Sequence, residues 1–198
     1  MIFFAEKLFE RMARSYLQHP PNVMRRKDRE IEDEAWIKSF LGKAPFGAFA
    51  FSQDGQPFIN SNIFVYDEAR HAIYFHTARE GRTRSILEHN PRACFSISEM
   101  GRLLPAEEAL EMSVEYQGVA VFGKVQVAED REEAFAALQQ LLDKYFPHLR
   151  PGEDYRPTTP EEWKRTAVFR LDIELWSGKQ KKAGADFPGA FLYQDIAR

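Results

Sequence analysis

The alternation of apolar and polar positions changes its period several times along the chain, and each change predicts an element. Residues 1–18 carry apolar side chains at helical spacing between charges, which predicts an amphipathic helix that His19-Pro20-Pro21 ends. A second helix is predicted over 34–41, with Asp33 as its N-cap and Gly42 as its end.

From Phe46 onward the apolar positions follow the two-residue period of β-strands. Strands are predicted over 46–52, 58–66, 72–77, 92–99, 113–128 and 166–175. Asp54-Gly55 between the first two strands is a hairpin signal. Further helices are predicted over 82–88, over 130–145 from the capping box Asp130-x-x-Glu133, and after the capping box Thr159-Pro160-Glu161-Glu162. Loops are predicted over 101–111 and 148–158.

Strands joined mainly by hairpins, with helices in the gaps between them, are typical of an antiparallel barrel. The predicted fold is therefore mainly β with helices. The chain divides into an N-terminal helical arm (1–23), a barrel domain (24–180) and a C-terminal tail (181–198) that is loose or covers a partner.

Composition narrows the functional classes. The net charge of −3, from 27 basic and 30 acidic residues, argues against nucleic acid as the main partner. Cys94 is the only cysteine, so no intrachain disulfide can form, and its apolar surroundings favour an inert buried thiol. We find no secretory signal and no apolar run of the ~20 residues needed to span a membrane, so we expect a cytoplasmic protein without a membrane partner.

Several common catalytic and cofactor motifs are missing from the sequence. One cysteine and five scattered histidines show no zinc-ligand spacing, and no metal site is expected. No Gly-x-Ser-x-Gly elbow indicates a serine hydrolase, and no Gly-x-Gly-x-x-Gly fingerprint indicates a dinucleotide fold.

The segment Tyr74 to Arg84 has the densest candidate chemistry. A predicted strand runs into Gly81, and a predicted helix begins beside it. Helix N-termini and arginine side chains both suit phosphate, so Thr77, Arg82 and Thr83 are candidate phosphate ligands. The alternative is a solvated basic helix start.

Two further polar features have a functional and a structural interpretation. Strand alternation places Tyr74, His76 and Ala78 on one face, so His76 either faces a bound ring or is a satisfied structural residue. Asn60, Ser61 and Asn62 are unusual within an apolar strand. They either line the edge of a ligand or mark an exposed edge strand.

The sequence resembles the nitroimidazole-resistance branch of the pyridoxamine 5'-phosphate oxidase-like superfamily over residues 24 to about 180. The motifs that carry the resemblance are Met24-Arg25-Arg26-Lys27-Asp28-Arg29-Glu30-Ile31, Asp54-Gly55-x-Pro57, Phe64-x-Tyr66-Asp67, Ile73-Tyr74-Phe75-His76-Thr77-Ala78, Gly81-Arg82, Asn90-Pro91-x-Ala93-Cys94-Phe95, Ser113-Val114-Glu115-Tyr116, Val121-Phe122-Gly123 and Trp176-Ser177-Gly178-Lys179. Their order and spacing together are specific.

The resemblance implies an FMN-binding split barrel that forms a homodimer, with FMN in clefts between the subunits. It implies phosphate contacts from Thr77 to Arg82, and it often has Lys where this chain has Thr83. It places Asn60, Ser61 and Asn62 along the flavin and His76 near its ring. Trp176 and Lys179 match a segment that closes the site, from the same chain or from its partner.

These observations lead to three hypotheses. The first is an FMN-dependent oxidoreductase that reduces a small acceptor such as a nitroaromatic ring, with His76 supplying a proton. The second is a flavin-binding protein without turnover. The third keeps the fold but uses a deazaflavin or haem.

Overall fold

The computed structural model describes residues 16–196. The helix predicted over 1–18 therefore lies outside the described residues, except for Tyr16–Gln18, which form a single 3-10 turn. Among the helices that are described, none is both long enough and apolar enough to cross a lipid bilayer.

Eight strands form one antiparallel sheet in the described part of the chain. They are β1 (Glu30–Ile31), β2 (Gly47–Gln53), β3 (Gln56–Asn62), β4 (Val65–Asp67), β5 (Ala72–Ala78), β6 (Arg92–Leu104), β7 (Ser113–Val127) and β8 (Thr166–Lys181). Their order is β3-β2-β6-β7-β8-β5-β4, and β1 pairs with β8. β3 is the first strand in this order and β4 is the last, yet only two residues of the chain separate them. The sheet therefore curls so that its two edges approach each other. The predicted antiparallel split barrel is confirmed.

The helices lie in the gaps of the sheet. They are α1 (Glu34–Lys43), α2 (Arg82–His89), α3 (Arg131–Tyr145) and α4 (Pro160–Trp163). The three predicted caps form: Asp33, Asp130 and Thr159 each accept a hydrogen bond from a backbone N–H in the first helical turn. These caps satisfy N–H groups that the helix itself leaves free.

The prediction that Gly42 ends α1 is wrong. The helix continues through Lys43, and the Ala44 N–H still donates to the Phe40 carbonyl at 3.0 Å. Ala44 then adopts an extended conformation with ψ 128°. Pro45 requires this, because a proline disfavours helical backbone in the residue before it.

Three strand boundaries also differ from the prediction. The strand predicted over 58–66 is two strands, β3 and β4, because the chain turns at Ile63 and Phe64 to bury the Phe64 ring fully. β6 continues to Leu104, into the predicted loop, because it stays paired with β7 beyond a register shift. β8 runs to Lys181 rather than residue 175, since its polar end pairs with β7 and β1.

The Asp54-Gly55 hairpin is confirmed. Gln53 pairs with Gln56, and both turn residues have positive φ, 50° at Asp54 and 80° at Gly55. These dihedral signs are those of the tight turn that best matches strand twist.

Phenylalanine rings fill the barrel. The Phe75 ring stacks against Phe49 at 4.0 Å and against Phe169 at 5.1 Å between centroids, and all three are fully buried. Each buried ring contributes about 2–3 kcal/mol of hydrophobic stabilisation. Outside the barrel, Tyr74 and Val168 pack with the alanines of α3 in a second cluster.

The tail beyond β8 lies against its own chain. Arg102 binds both carboxylate oxygens of Glu115 and also donates to the carbonyls of Gly184 and Ala185. Further along, Phe191 forms an isolated β-bridge with Leu103. These contacts hold the start of the tail on β6.

Candidate functional site

The sheet has a gap between β3 and the end of β5, which we call the split. β4 covers the edge of β5 only from Ala72 to Tyr74, so residues 75–78 have no strand neighbour on that side. The Asn62 carboxamide crosses the gap and donates to the His76 carbonyl at 2.7 Å. The Asn60 carboxamide donates to the Thr83 hydroxyl at 3.1 Å. Across this gap, hydrogen bonds from β3 side chains take the place of the backbone hydrogen bonds that would join paired strands.

The three polar residues of β3 do not share a face. Asn60 and Asn62 lie on the half-buried side with Phe58, whereas Ser61 and Ile59 are exposed on the opposite side. The structure therefore gives the two asparagines a structural role within the chain. It separates Ser61 from them, because side chains alternate along a strand.

The start of α2 forms one wall of the split. Gly81 precedes it with φ 141°, a backbone conformation that other residues rarely adopt, and no side chain caps the helix. The backbone N–H groups of the first turn are thus free of intrahelical partners. Arg82 is exposed, and its guanidinium carbon lies 5.9 Å from the centre of the Phe58 ring on β3.

The two threonines beside this helix start differ in exposure. Thr83 is buried, and its hydroxyl already accepts from Asn60. The hydroxyl of Thr77 is half-exposed and donates to the Ala78 carbonyl at 2.7 Å. Of the predicted phosphate ligands, Arg82 and Thr77 are therefore the more accessible.

His76 has a buried ring nitrogen without a partner. Within residues 16–196, no hydrogen-bonding group reaches its Nδ1, and that atom is shielded from solvent. Burial lowers the pKa of His76 below its ordinary value, so the imidazole is neutral at pH 7. Burial of a polar atom without a hydrogen-bond partner destabilises the fold, and a partner for that atom would remove this cost.

His76 and Thr77 face opposite sides of the sheet, as the strand alternation predicted. Tyr74, two residues before His76, packs in the cluster under α3, whereas Phe75 stacks inside the barrel. The two candidate side chains therefore approach a ligand from different directions.

Trp176 and Lys179 lie far from the split in the same chain. Val168 is the register partner of His76, and about 26 Å of extended β8 separates it from Trp176. The Trp176 ring contacts His71 at 4.6 Å between centroids, and the Lys179 ammonium lies 5.3 Å from the centre of the Tyr116 ring. The structure does not bring either residue to the split of its own chain.

The sequence did not reveal the role of the end of α3. The Tyr145 hydroxyl donates a hydrogen bond to the Pro45 carbonyl at 2.8 Å and accepts one from the Phe64 N–H at 3.0 Å. The Lys144 ammonium donates to the Phe64 carbonyl at 3.0 Å and lies 3.9 Å from the centre of the Phe64 ring. Burial lowers the pKa of Lys144 to about 8. One signal existed: Lys144 falls at helical spacing from Leu141, on the apolar face.

The outer face of the sheet carries two rows of small or apolar side chains. The register places Ser61, Ala48, Ser96, Ala120 and Ser177 in one row, and Ile59, Ala50, Cys94, Phe122 and Leu175 in the next. Ile59 is 62% exposed. Cys94 is half-buried rather than fully buried, and burial raises the pKa of its thiol, which disfavours the reactive thiolate.

The described residues were also compared with the requirements of a metal site. Among the described residues, no three His, Cys, Asp or Glu side chains gather in a group that could hold a metal ion. The polar atoms of the split are amides, a hydroxyl, an imidazole and a guanidinium, which suit an organic anion with polar ring edges.

The geometry defines the class of this domain as a split barrel with a polar gap, and comparison with protein families names its family. Residues 33–180 match the family described as pyridoxamine 5'-phosphate oxidase. The chain belongs to this family, which confirms the superfamily that the sequence motifs indicated. Comparison with curated proteins gives no match.

Solved structures share the fold. The flavocytochrome Anf3 from Azotobacter vinelandii is 25% identical with a TM-score of 0.71, over 81% of this chain and 73% of that one. An FAD- and haem-binding protein from Mycobacterium smegmatis is 21% identical with a TM-score of 0.69, over 78% and 74%. A candidate 5-nitroimidazole antibiotic resistance protein from Bacteroides thetaiotaomicron is 22% identical with a TM-score of 0.63, over 76% and 86%.

Proposed function

We propose that the split holds the FMN unit of a flavin and that the protein is a flavin-dependent oxidoreductase acting on a small acceptor. One observation carries the proposal: the uncapped start of α2, with the exposed Arg82, follows closely in the chain on β5, the strand that bears the unpartnered ring nitrogen of His76. A flavin nucleotide has both a phosphate and a polar ring edge, so it suits both features.

The residues of the split divide these tasks. Arg82 and the free N–H groups of α2 bind the phosphate, since both present hydrogen-bond donors and positive potential. Neutral His76 is the ring-edge or substrate contact in this proposal, through a nitrogen of its imidazole. Because its pKa is lowered, His76 serves as a hydrogen-bonding group at pH 7, rather than as a charged acid.

Asn60 and Asn62 contribute by positioning. Their amides hold β3 against α2 and β5, so the split keeps its width without strand pairing. A bound flavin supplies the hydride or electron transfer, and the chain supplies orientation and shelter from water. A nitroaromatic ring such as a 5-nitroimidazole is the proposed acceptor, in keeping with the family branch that the sequence resembles.

We also propose a homodimer that buries the outer face of the sheet. Its rows of small side chains let a second sheet approach closely, and exposed Ile59 gains from burial. Lys179 lies on this outer face with Tyr116. A role for Lys179 or Trp176 at the flavin therefore requires the partner's copy of the split.

The experiment begins with the absorption spectrum of the purified protein, followed by FMN addition, chemical reduction and mixing with a 5-nitroimidazole. Loss of the nitro absorbance over many turnovers, with oxidised flavin bands returning, supports the oxidoreductase. Bound flavin without turnover supports the flavin-binding protein. Absence of flavin binding contradicts the proposal, and an Arg82→Gln variant serves as the weakened-binding control.

A haem-containing variant of this function is the second candidate. The similarity to a flavocytochrome favours it, together with exposed His71. His71 lines a cleft of about 440 Å³ with Leu175 and Trp176, and the rest of the lining is polar or charged: Asn22, Glu34, Lys38 and Glu174. Histidine is a common axial ligand of haem iron. Titration with haemin distinguishes the candidates, because a sharp Soret band that His71→Ala abolishes is expected only if haem binds here. A deazaflavin is tested in the same way by its own absorption.

A further inference from the structure

The outer face of the sheet ends in a group of three side chains, Arg29, Tyr116 and Lys179, which we call the basic cluster. The Arg29 guanidinium donates to the Tyr116 hydroxyl at 3.1 Å, and its central carbon lies 5.8 Å from the centre of the Tyr116 ring. The Lys179 ammonium lies 5.3 Å from the same ring centre. All three residues are half-buried. Two cations therefore flank a single phenol.

The hydroxyl hydrogen of Tyr116 has no acceptor in the basic cluster. Guanidinium and ammonium groups donate hydrogen bonds and cannot accept them. Among the described residues, the hydrogen bond from Arg29 is the only one that the Tyr116 hydroxyl makes. The phenol O–H is therefore a donor without an acceptor, beside the remaining N–H groups of Lys179 and Arg29. Such a set of donors suits an oxyanion, which accepts several hydrogen bonds at once.

The electrostatics of the basic cluster favour negative charge. Burial raises the pKa of Tyr116, but the Arg29 guanidinium and the Lys179 ammonium outweigh burial and hold that pKa below its ordinary value. The Asp28 carboxylate offsets part of this positive potential, because it lies 3.6 Å from the Arg29 Nε. It binds Arg26 more closely, at 2.6 Å.

Lys179 has a charge that its neighbours leave uncompensated. Its register partner Glu30 binds Lys27 at 2.5 Å instead. Within residues 16–196, no carboxylate lies within ion-pair distance of the Lys179 ammonium. Since Asp28 partly compensates Arg29, the excess in the basic cluster is close to one positive charge, which suits a singly charged anion.

Two other carboxylates near Tyr116 belong to the opposite side of the sheet. Glu115 precedes Tyr116 in β7, and Arg102 binds its two oxygens at 2.8 and 2.9 Å. Glu99, the register partner of Gln117, accepts from the Gln117 carboxamide at 2.7 Å. Because side chains alternate along a strand, neither carboxylate shares a face with the Tyr116 ring.

Gly118 leaves a recess beside the basic cluster. It follows Tyr116 by two residues on the same side of β7, and its register partners are Ser98 on β6 and Lys179 on β8. A Cβ at this glycine would lie 3.0 Å from the Ile97 carbonyl oxygen, so a larger residue would be crowded here. Ser98 is exposed, and its hydroxyl adds a polar group at the edge of the recess.

An apolar side chain adjoins the same recess. Met100, the register partner of Tyr116 on β6, lies on the same side of the sheet and is 57% exposed. On the other side of Tyr116, Lys181 directs its ammonium to the Ser113 hydroxyl. A ligand with one acidic group and an apolar body would therefore find donors and an apolar contact together.

We propose that Arg29, Tyr116 and Lys179 bind the carboxylate of a small organic acid, whose apolar body lies against Met100. The site lies within one chain and uses neither the split nor a flavin, so it is independent of the proposed function. In the proposed dimer a second sheet approaches this face. The bound anion would then compensate a lysine charge that burial would otherwise leave unpaired.

The test is an NMR titration of the isotope-labelled protein with benzoate, at constant ionic strength balanced with chloride. The amide shifts of Gly118 and Lys179 give the dissociation constants of four proteins: the wild type, Tyr116→Phe, Lys179→Gln and the control Lys124→Gln. Lys124 is exposed on the same strand and the same side as Tyr116, and its replacement removes the same charge. Tyr116→Phe keeps the ring and removes only the hydroxyl, so the fold should be retained.

We expect saturable benzoate binding to the wild type. Tyr116→Phe and Lys179→Gln should each weaken it at least about tenfold, because each removes a donor to a charged oxygen. Lys124→Gln should bind benzoate as the wild type does.

Three results would overturn the inference. They are the absence of saturable shifts in the wild type, equal affinity of Tyr116→Phe and the wild type, and equal weakening by Lys124→Gln, which would trace the effect to net charge alone. Tighter binding of inorganic phosphate than of benzoate would overturn the assignment to a carboxylate. Each result is obtained without flavin, so none of them bears on the proposed function.

Discussion

The carboxamide of Asn62 donates a 2.7 Å hydrogen bond to the backbone carbonyl of His76 across the split. On the side that faces the split, β5 has no strand neighbour at this position, so the carbonyl depends on a side chain for its hydrogen bond. The same asparagine accepts from the Ile63 N–H at 2.8 Å, where the chain leaves β3. Asn62 thus joins the end of one strand to the segment that carries His76.

Replacement of Asn62 by leucine should weaken both the fold and flavin binding. The substitution leaves the His76 carbonyl without its partner, which costs about 1–3 kcal/mol when such a group is buried. Urea unfolding of the protein without flavin measures the loss. Ser61→Ala, on the exposed side of the same strand, is the control and should change stability by less than about 0.5 kcal/mol. Equal stability of the Asn62 variant and the wild type would refute this role.

Lys144 should make stability rise with pH above about 8. Burial lowers the pKa of its ammonium to about 8 from an ordinary 10.5, so between these values the unfolded chain binds the proton and the folded chain has released it. Unfolding then takes up a proton, and the free energy of unfolding increases with pH. The gain should be roughly 1–2 kcal/mol after allowance for solvent screening.

The Lys144→Met variant provides the comparison. Urea unfolding of both proteins between pH 7.5 and pH 10.5, values chosen to bracket the titration, should show the increase in the wild type alone. Parallel pH profiles in the two proteins would mean that Lys144 keeps an ordinary pKa.

A negative charge on the outer face should separate the proposed dimer. Ile59→Glu places a carboxylate in the row of apolar side chains that the two sheets would bury, and burial of an unpaired charge is strongly unfavourable. Sedimentation velocity should show a dimer for the wild type and a monomer for the variant. Leu110→Glu, at a loop residue that is 90% exposed, is the matched control. A wild-type monomer, or an Ile59→Glu dimer, would disprove the interface.

Much of the fold was predictable because local signals agreed with it. Asp54-Gly55 permits the positive φ values of a tight hairpin, and the caps at Asp130 and Thr159 satisfy helix starts wherever the helix later packs. The end of β8 was not predictable from its own residues. Positions 177–181 are polar, and they form a strand only because β7 and β1 pair with them.

The candidate site was predictable only in part. Strand alternation placed His76 and Thr77 on opposite faces correctly, because that property is local. The partners of Asn60 and Asn62 depend on how the two ends of the sheet meet, which no local pattern encodes. The contacts of Lys144 with Phe64 are long-range in the same sense, and the distance of Trp176 from the split follows from strand register.

The preference for FMN over riboflavin tests the central claim most directly, because these two ligands differ only in the phosphate. Fluorescence-quenching titrations of the wild type and Arg82→Gln give all four affinities. The wild type should bind FMN at least tenfold more tightly than riboflavin, since charge-assisted hydrogen bonds to phosphate contribute about 1.5–3 kcal/mol each. Arg82→Gln should lose most of that preference while its riboflavin affinity is retained. Equal binding of the two ligands by the wild type would contradict a phosphate site at the start of α2.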